Sequence, residues 1–231
     1  MFDLVIFDCD GVVIDSEVIS LRMLLAELRA LGVNVDHGYV VRHFLGRSYP
    51  VVMQQIRRDF GVELPEGFEA DYRTRLLAAF DRQLAAMPGI GRVLDRLAVP
   101  FCLATSSSPE RVRRSLQIVG LDEAFAGRIT TASEVAHGKP APDLFLLSAA
   151  KSGVDPHRCL VVEDSLPGLR AARAAGMTVW HFLGGSHLRG LDLSGDVPPW
   201  ADRRIESFAE FFDTAPGLAG SGKMLDVCSQ G

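Results

Sequence analysis

The chain has 231 residues, 48% of them apolar and 23% charged, with 24 Lys+Arg against 29 Asp+Glu for a formal net charge of −5. That mixture excludes a disordered, fibrous or collagen-like chain and suits one large domain, or a core carrying a smaller insertion. The acidic balance argues against nucleic acid or an anionic membrane surface as a partner, because both are bound through clustered Lys and Arg. In chain order, the first predicted element is a strand at 4–7. It is entered from an N-terminus with no basic segment and no long apolar run, so neither a signal peptide nor a membrane span is expected. Further short apolar runs rich in β-branched and aromatic residues fall at 101–105, 128–131, 159–162 and 178–182. From the second run on, helical patterns separate them. One opens with Ser108 as N-cap and Pro109 at the first helical position and continues through Arg114 and Leu116; others span 144–151 and 168–175, the last stopped by Gly176. Buried strands alternating with helices predict an α/β fold built on a parallel sheet covered on both faces.

The interval between the first two strands breaks this rhythm. It shows no convincing strand, whereas Leu21, Leu24, Leu25, Leu28 and Leu31 share a helical face and 51–60 and 72–84 also have helical spacing. A parallel crossover needs only about a dozen residues or slightly more. The excess therefore predicts an inserted helical subdomain, with Pro88 and Gly89 marking where the chain rejoins the core. The stretch 214–231, rich in Gly, Ala and Ser, is expected to be a loose tail. Cys9, Cys102, Cys159 and Cys228 lie far apart with no CxxC pair, and three of them sit in apolar, strand-like surroundings. They read as reduced thiols of a cytoplasmic protein.

Chemistry-bearing residues gather where strands should end. Asp8-Cys9-Asp10-Gly11 follows the first strand, and in extended chain residues two apart face the same way, so Asp8 and Asp10 converge. Two close carboxylates call for a compensating cation or a shared proton, and a hard divalent ion such as Mg2+ would serve. Acidic pairs also end strands and cap helices, so this motif alone leaves both readings open. Thr105-Ser106-Ser107-Ser108 closes the second strand in hydroxyls able to donate to phosphate oxygens, a run equally at home as a helix cap. Lys139 stands between Gly138 and a Pro140-Ala141-Pro142 turn, and Glu163-Asp164 follows a fully apolar strand. Ligands of such sheets bind beyond the carboxyl ends of the strands, where all four features would meet.

Taken in order, Asp8-Cys9-Asp10-Gly11, Thr105, Lys139-Pro140 and Glu163-Asp164 resemble the motifs of the haloacid dehalogenase superfamily. Within it, the chain is most similar to the branch containing β-phosphoglucomutase and small sugar-phosphate phosphatases. The resemblance runs from Asp3 to about Asp213. It implies a Rossmannoid parallel-sheet core at 1–15 and 88–213, with a helical cap at 16–87. It also implies Asp8 as nucleophile, Asp10 as general acid and base, and Thr105 and Lys139 as holders of the phosphoryl group. Mg2+ would sit on the Asp8 carboxylate, the Asp10 backbone carbonyl and Asp164, with Glu163 as a further ligand or one step removed.

The resemblance leaves a choice between phosphatase and phosphosugar mutase. The mutase has a histidine where this chain has Ser20, and an arginine after the Gly-x-Ser of its cap, where Gly46-Arg47-Ser48 is followed by Tyr49. A mutase must grip the distal phosphate of a bisphosphate, so these departures favour simple hydrolysis. A dehalogenase would leave Asp10 and Glu163-Asp164 unexplained, and a phosphoacceptor receiver module would lack the helical insertion. The expected partner is a small phosphorylated metabolite: a sugar, sugar acid or polyol phosphate. Gly46, Arg47, Ser106, Ser107 and Arg73 are the candidate substrate-binding residues, with Arg75, His43 and His137 as further candidates near them. The protein is expected to act as a monomer or weak homodimer. Gly217-Leu218-Ala219-Gly220-Ser221-Gly222-Lys223-Met224 is set aside as a nucleotide loop, because no strand precedes it and Met224 replaces the required Ser or Thr.

Overall fold

The computed structural model describes residues 1–35, 37–44, 46–63, 65, 67–189 and 200–220. β1 (Leu4–Phe7) leads into α1 (Glu17–Ala30), α2 (His37–His43), α3 (Tyr49–Phe60) and α4 (Phe68–Gln83), and the chain returns through α5 (Ile90–Arg96) to β2 (Phe101–Thr105). α6 (Pro109–Ile118) and α7 (Asp122–Phe125) precede β3 (Ile129–Thr131), and α8 (Asp143–Ser152) precedes β4 (Cys159–Glu163). α9 (Leu166–Ala174), β5 (Thr178–Phe182), β6 (Arg203–Ile205) and α10 (Phe211–Thr214) complete the described elements. The strands form one parallel sheet in the order β3-β2-β1-β4-β5-β6.

Strand alternation sorts the core into two layers. Val5 and Phe7 of β1, Leu160 and Val162 of β4, and Trp180 and Phe182 of β5 point to the face covered by α5, α6, α7 and α10. Leu4 and Ile6, Cys159 and Val161, and Val179 point to the other, covered by Leu144 and Phe145 of α8 and Leu169 and Ala172 of α9. Burial on both faces is why these strands read as continuous apolar runs. Cys9, Cys102 and Cys159 are buried free thiols; Cys228 lies outside the described residues.

A third apolar cluster belongs to the helices inserted between β1 and β2. Leu21, Leu24 and Leu28 of α1 pack with Val52, Met53 and Ile56 of α3 and Tyr72, Leu76 and Phe80 of α4. Two strand-like connections join this bundle to the core side by side: the Asp15 amide donates to the Ala85 carbonyl at 3.0 Å, and the Met87 amide to the Val13 carbonyl at 2.9 Å. The bundle is therefore anchored to residues that lie within a few positions of Asp10.

Two features go unread in the sequence and one expectation is corrected. β6 is an additional edge strand, hidden in the sequence because Arg203 and Arg204 charge it, as edges that face water commonly are. α2 and α5 are short helices that left too few residues for a clear period. The stretch from 214 is not loose up to 220. Leu218 is buried, its carbonyl accepts from the Ala98 amide at 2.9 Å, and the Gly220 amide donates to the Arg96 carbonyl at 2.7 Å. Residues 221–231 of that expected tail, and the rest of the glycine-lysine segment set aside above, lie outside the described residues. None of the described helices is long and apolar enough to cross a membrane.

Candidate active site

Strand order explains where the chemistry gathers. The chain leaves β1 for β2 and β3 on one side, then crosses back to β4 on the other, so the crevice where this direction reverses lies beyond the carboxyl ends of β1 and β4. Asp8 stands one residue past β1, its amide still held by the Val162 carbonyl of β4 at 3.0 Å. Glu163 ends β4 and Asp164 follows it, while Thr105 ends β2. Lys139 reaches in from the loop ahead of α8. Asp8, Thr105, Lys139, Glu163 and Asp164 are all buried.

Asp8, Glu163 and Asp164 bring carboxylate oxygens within 4.8 Å of one another. Lys139 Nζ donates to Asp8 Oδ1 at 2.5 Å and to Glu163 Oε1 at 2.6 Å. Burial pushes the Lys139 ammonium down, but the carboxylates of Asp8 and Glu163 more than reverse this and hold it above the usual lysine value. Burial drives Asp8 well above the usual carboxylate range, Lys139 opposes this, and the charges of Glu163 and Asp164 add to it. Asp164 is raised in the same way, first by burial and then by Glu163. Three buried acids thus share one ammonium. Asp164 Oδ2 is itself buried without a hydrogen-bond partner among the described residues. His187 Nε2 lies 3.1 Å from it but outside hydrogen-bond geometry. A surplus of buried oxygen donors with one orphaned oxygen fits a hard divalent cation.

Gly11 shapes the turn after the acids. Its φ of +85° is left-handed, and a Cβ there would lie 1.9 Å from Asp164 Oδ2. The turn swings Asp10 away from the acid cluster, into a different setting. Ser16 Oγ and Ser107 Oγ donate to its carboxylate at 2.6 Å each, Arg111 Nη2 at 2.7 Å, and Thr105 Oγ1 lies at 3.5 Å. Burial raises Asp10, but the Arg111 charge and the Ser107 and Ser16 bonds outweigh it and hold the carboxyl below its ordinary value. The ligand role that the resemblance gives Asp10 belongs to its backbone carbonyl; its side chain lies outside the acid cluster.

A cleft of about 300 Å3 opens beside Asp10 between the core and the bundle, lined by Ser106, Ser107 and Arg111 from one side and Arg47, Tyr49 and Tyr72 from the other. Ser106 Oγ donates to the Gly46 carbonyl at 3.2 Å, tying the α2–α3 loop to the core. Arg73 sits at the rim, paired with Glu69 and 5.6 Å over the Tyr49 ring. The other cap candidates are placed elsewhere. Arg75 bonds Glu27 of α1 at 2.9 Å, and His43 stacks on Tyr39 at 4.4 Å. His137 is exposed and lies 3.2 Å from Asp143.

Arg111, Glu17 and His187 were not anticipated. Arg111 had one sequence signal, its position in the first turn of a helix opened by the hydroxyl run, which puts it close to the end of β2. His187 had a weaker one, following Gly184-Gly185 just after a predicted strand.

A match to the haloacid dehalogenase-like hydrolases spans residues 2–176. The 6-phosphogluconate phosphatase of Escherichia coli K12 is 28% identical over 79% of this chain and 83% of that enzyme. Hexitol phosphatase B of the same organism is 29% identical over 74% of this chain and 79% of that one. Among solved structures, a haloacid dehalogenase-like protein of unknown function from Agrobacterium tumefaciens superposes with a TM-score of 0.77. It is 31% identical, and the match covers 94% of this chain and 99% of that one.

Proposed function

The chain belongs to the haloacid dehalogenase-like hydrolase family, in its sugar-phosphate phosphatase branch, and on that premise we propose a Mg2+-dependent phosphatase working through an aspartyl-phosphate on Asp8. It is a phosphoric monoester hydrolase; the substrate in this reading is a small phosphorylated sugar, sugar acid or polyol, closed over by the helical bundle as a cap. The observation that carries the mechanism is the contrast between Asp8 and Asp10. Two carboxylates two residues apart, one clustered with Glu163 and Asp164 against Lys139 where a cation would hold it ionised, the other held apart by Ser16, Ser107 and Arg111, are set up for two different roles.

Asp8 attacks phosphorus in line with the leaving sugar oxygen; the Asp8–phosphorus bond forms as the bond to that oxygen breaks, and the leaving oxygen takes a proton from Asp10. Water then attacks the phosphorus of the aspartyl-phosphate and gives its proton to Asp10 as the Asp8–phosphorus bond breaks, freeing the Asp8 carboxylate and inorganic phosphate. A carboxyl held below its ordinary value by Arg111, Ser107 and Ser16 suits that second step. In this reading the hydroxyls of Thr105 and Ser106 turn to phosphoryl oxygens while Ser107 stays on Asp10, and Lys139 keeps the Asp8 carboxylate oriented and supplies positive charge beside it. Asp8 and Asp164, with Glu163 next to them, would hold Mg2+. The cation would offset the mutual repulsion of an anionic nucleophile and an anionic substrate.

The test is phosphate release across phosphorylated sugars, sugar acids and polyols with Mg2+, repeated in EDTA and with Asp8→Asn. The variant should fold, since Lys139 keeps Glu163, yet lose roughly 10^4-fold or more in turnover. Undiminished release by the variant would sink the nucleophile assignment, and undiminished release in EDTA the metal dependence.

A further inference from the structure

The proposed reaction leaves one set of groups in the cleft without a task. Arg47, Tyr49, Tyr72 and Arg111 line both the main cleft and a smaller cavity of about 70 Å3 adjoining it. Arg47 Nε, Arg111 Nε and the Tyr49 hydroxyl are buried and meet no hydrogen-bond partner among the described residues. The remaining charges are accounted for. Arg73 is held by Glu69, Arg111 shares one amino group between Asp10 at 2.7 Å and Ser20 at 3.1 Å, the one acid lining the main cleft, Glu110, is exposed, and Glu17, which lines the smaller cavity, makes no ion pair among the described residues. Arg47 makes no ion pair among the described residues.

A partly buried guanidinium without a counter-ion is a standing cost that an arriving anion relieves. Two arginines from opposite walls of one cleft, which Tyr49 also lines, offer donors in the planar fork that matches a carboxylate. The charge balance favours one negative charge over two, because Arg47 alone is uncommitted while Arg111 already faces Asp10. Resting on the phosphatase reading above, we propose that Arg47 and Arg111 select a substrate bearing a carboxylate at the end remote from its phosphate, with the Tyr49 hydroxyl donating to the same group. The favoured class is then phosphorylated sugar acids over neutral polyol phosphates. When Arg111 turns to that carboxylate, Asp10 keeps its bonds from Ser16 and Ser107.

The test compares kcat/KM on a matched pair of equal chain length and stereochemistry, a hexonic acid 6-phosphate and the hexitol 6-phosphate, alongside a hexose bisphosphate and p-nitrophenyl phosphate. The wild-type protein should favour the acid by roughly tenfold or more, carried mainly by KM, as expected for a charge-assisted pair of hydrogen bonds. Arg47→Met should bring that ratio towards one, and Arg47→Lys should restore part of it. Arg111→Met should act in the same direction. Arg47→Met is decisive because its guanidinium has no partner among the described residues to strand, whereas Arg111→Met deprives Asp10 of its cation; a thermal melt checks the fold of each. Equal turnover of acid and polyol, a ratio unmoved by Arg47→Met, or a preference for the bisphosphate overturns the carboxylate subsite while leaving the phosphatase standing. No release from any of the four compounds overturns the phosphatase reading itself.

Discussion

The two walls of the cleft carry opposite imbalances. On the sheet side, Asp8, Glu163 and Asp164 cluster together, and the ammonium of Lys139 pairs with only the first two. On the bundle side, Arg47 of the α2–α3 loop pairs with no acid among the described residues, while Arg73 and Arg75 of α4 are paired with Glu69 and Glu27. Surplus charge of each sign is buried only where something else can complete it: a cation for the acids, an anion for the arginine. Exposed pairs such as Arg75–Glu27 contribute little either way. The uneven distribution, more than the number of ion pairs, is what separates the site from the rest of the charged surface.

Asp10 lies where the two walls meet, and removing its charge should have the largest effect after loss of the nucleophile. Asp10→Asn keeps the shape and, at Oδ1, an acceptor for Ser16 and Arg111, puts an amide where Ser107 now donates, and can neither give nor take the proton. Turnover should fall by roughly 10^2- to 10^4-fold, with little change in substrate affinity. Rapid acid quench with labelled substrate should then show phosphate retained on the protein, because the water step loses its base. A variant that turns over normally would move the acid–base role off Asp10 and dissolve the contrast with Asp8.

That contrast was only half legible in the sequence. Asp8, Thr105, Lys139, Glu163 and Asp164 were readable because each stands at or near the end of an apolar strand or in a marked loop, and a parallel sheet delivers all such ends to one crevice. The separate setting of Asp10 was not. It depends on Arg111, a residue 101 positions away whose direction is set by how α6 packs against α4. The bundle was legible as helices from the leucine stripe of α1, but not in its polar faces. Arg47, Arg73 and Arg75 look alike as sequence, and only the rotation of α4 decides that Arg75 meets Glu27 while Arg73 turns to the rim. β6 escaped for a related reason, since one buried Ile205 behind two arginines carries no period.

A smaller effect probes how tightly the acid wall is packed. Gly168, in the first turn of α9, comes so close to Glu163 that a Cβ there would lie 1.7 Å from Oε1. Gly168→Ala must displace a buried carboxylate bonded to Lys139 and to the Ser165 amide, at 2.6 Å each. We expect a loss of about 1–3 kcal/mol in urea unfolding and weaker binding of Mg2+ by calorimetry. Unchanged stability together with unchanged metal affinity would mean that the acid wall is looser than its geometry.

The smallest effect concerns Glu17, the first residue of α1, where the bundle extends the acid side of the comparison. Burial, then the charge of Asp10, raises its carboxyl to about 7, against the pull of His187 and Arg111. A helix N-terminus favours the anion, so here burial wins over the dipole. The sign follows from linkage: an unfolded glutamate loses its proton near 4.5, while the folded one keeps it to about 7. Between those values the folded state alone holds the proton, so stability falls as pH rises through that window and stays lower above it. Glu17→Gln removes the loss. In EDTA, its melting temperature should match wild type at pH 5 and exceed it by about 2–4 °C at pH 8, the shift expected for roughly 1 kcal/mol in a chain of this size. A gain of equal size at both pH values would trace the effect to packing, and a deficit at pH 8 would mean that Arg111 and His187 already balance Glu17, leaving the acid surplus confined to the sheet.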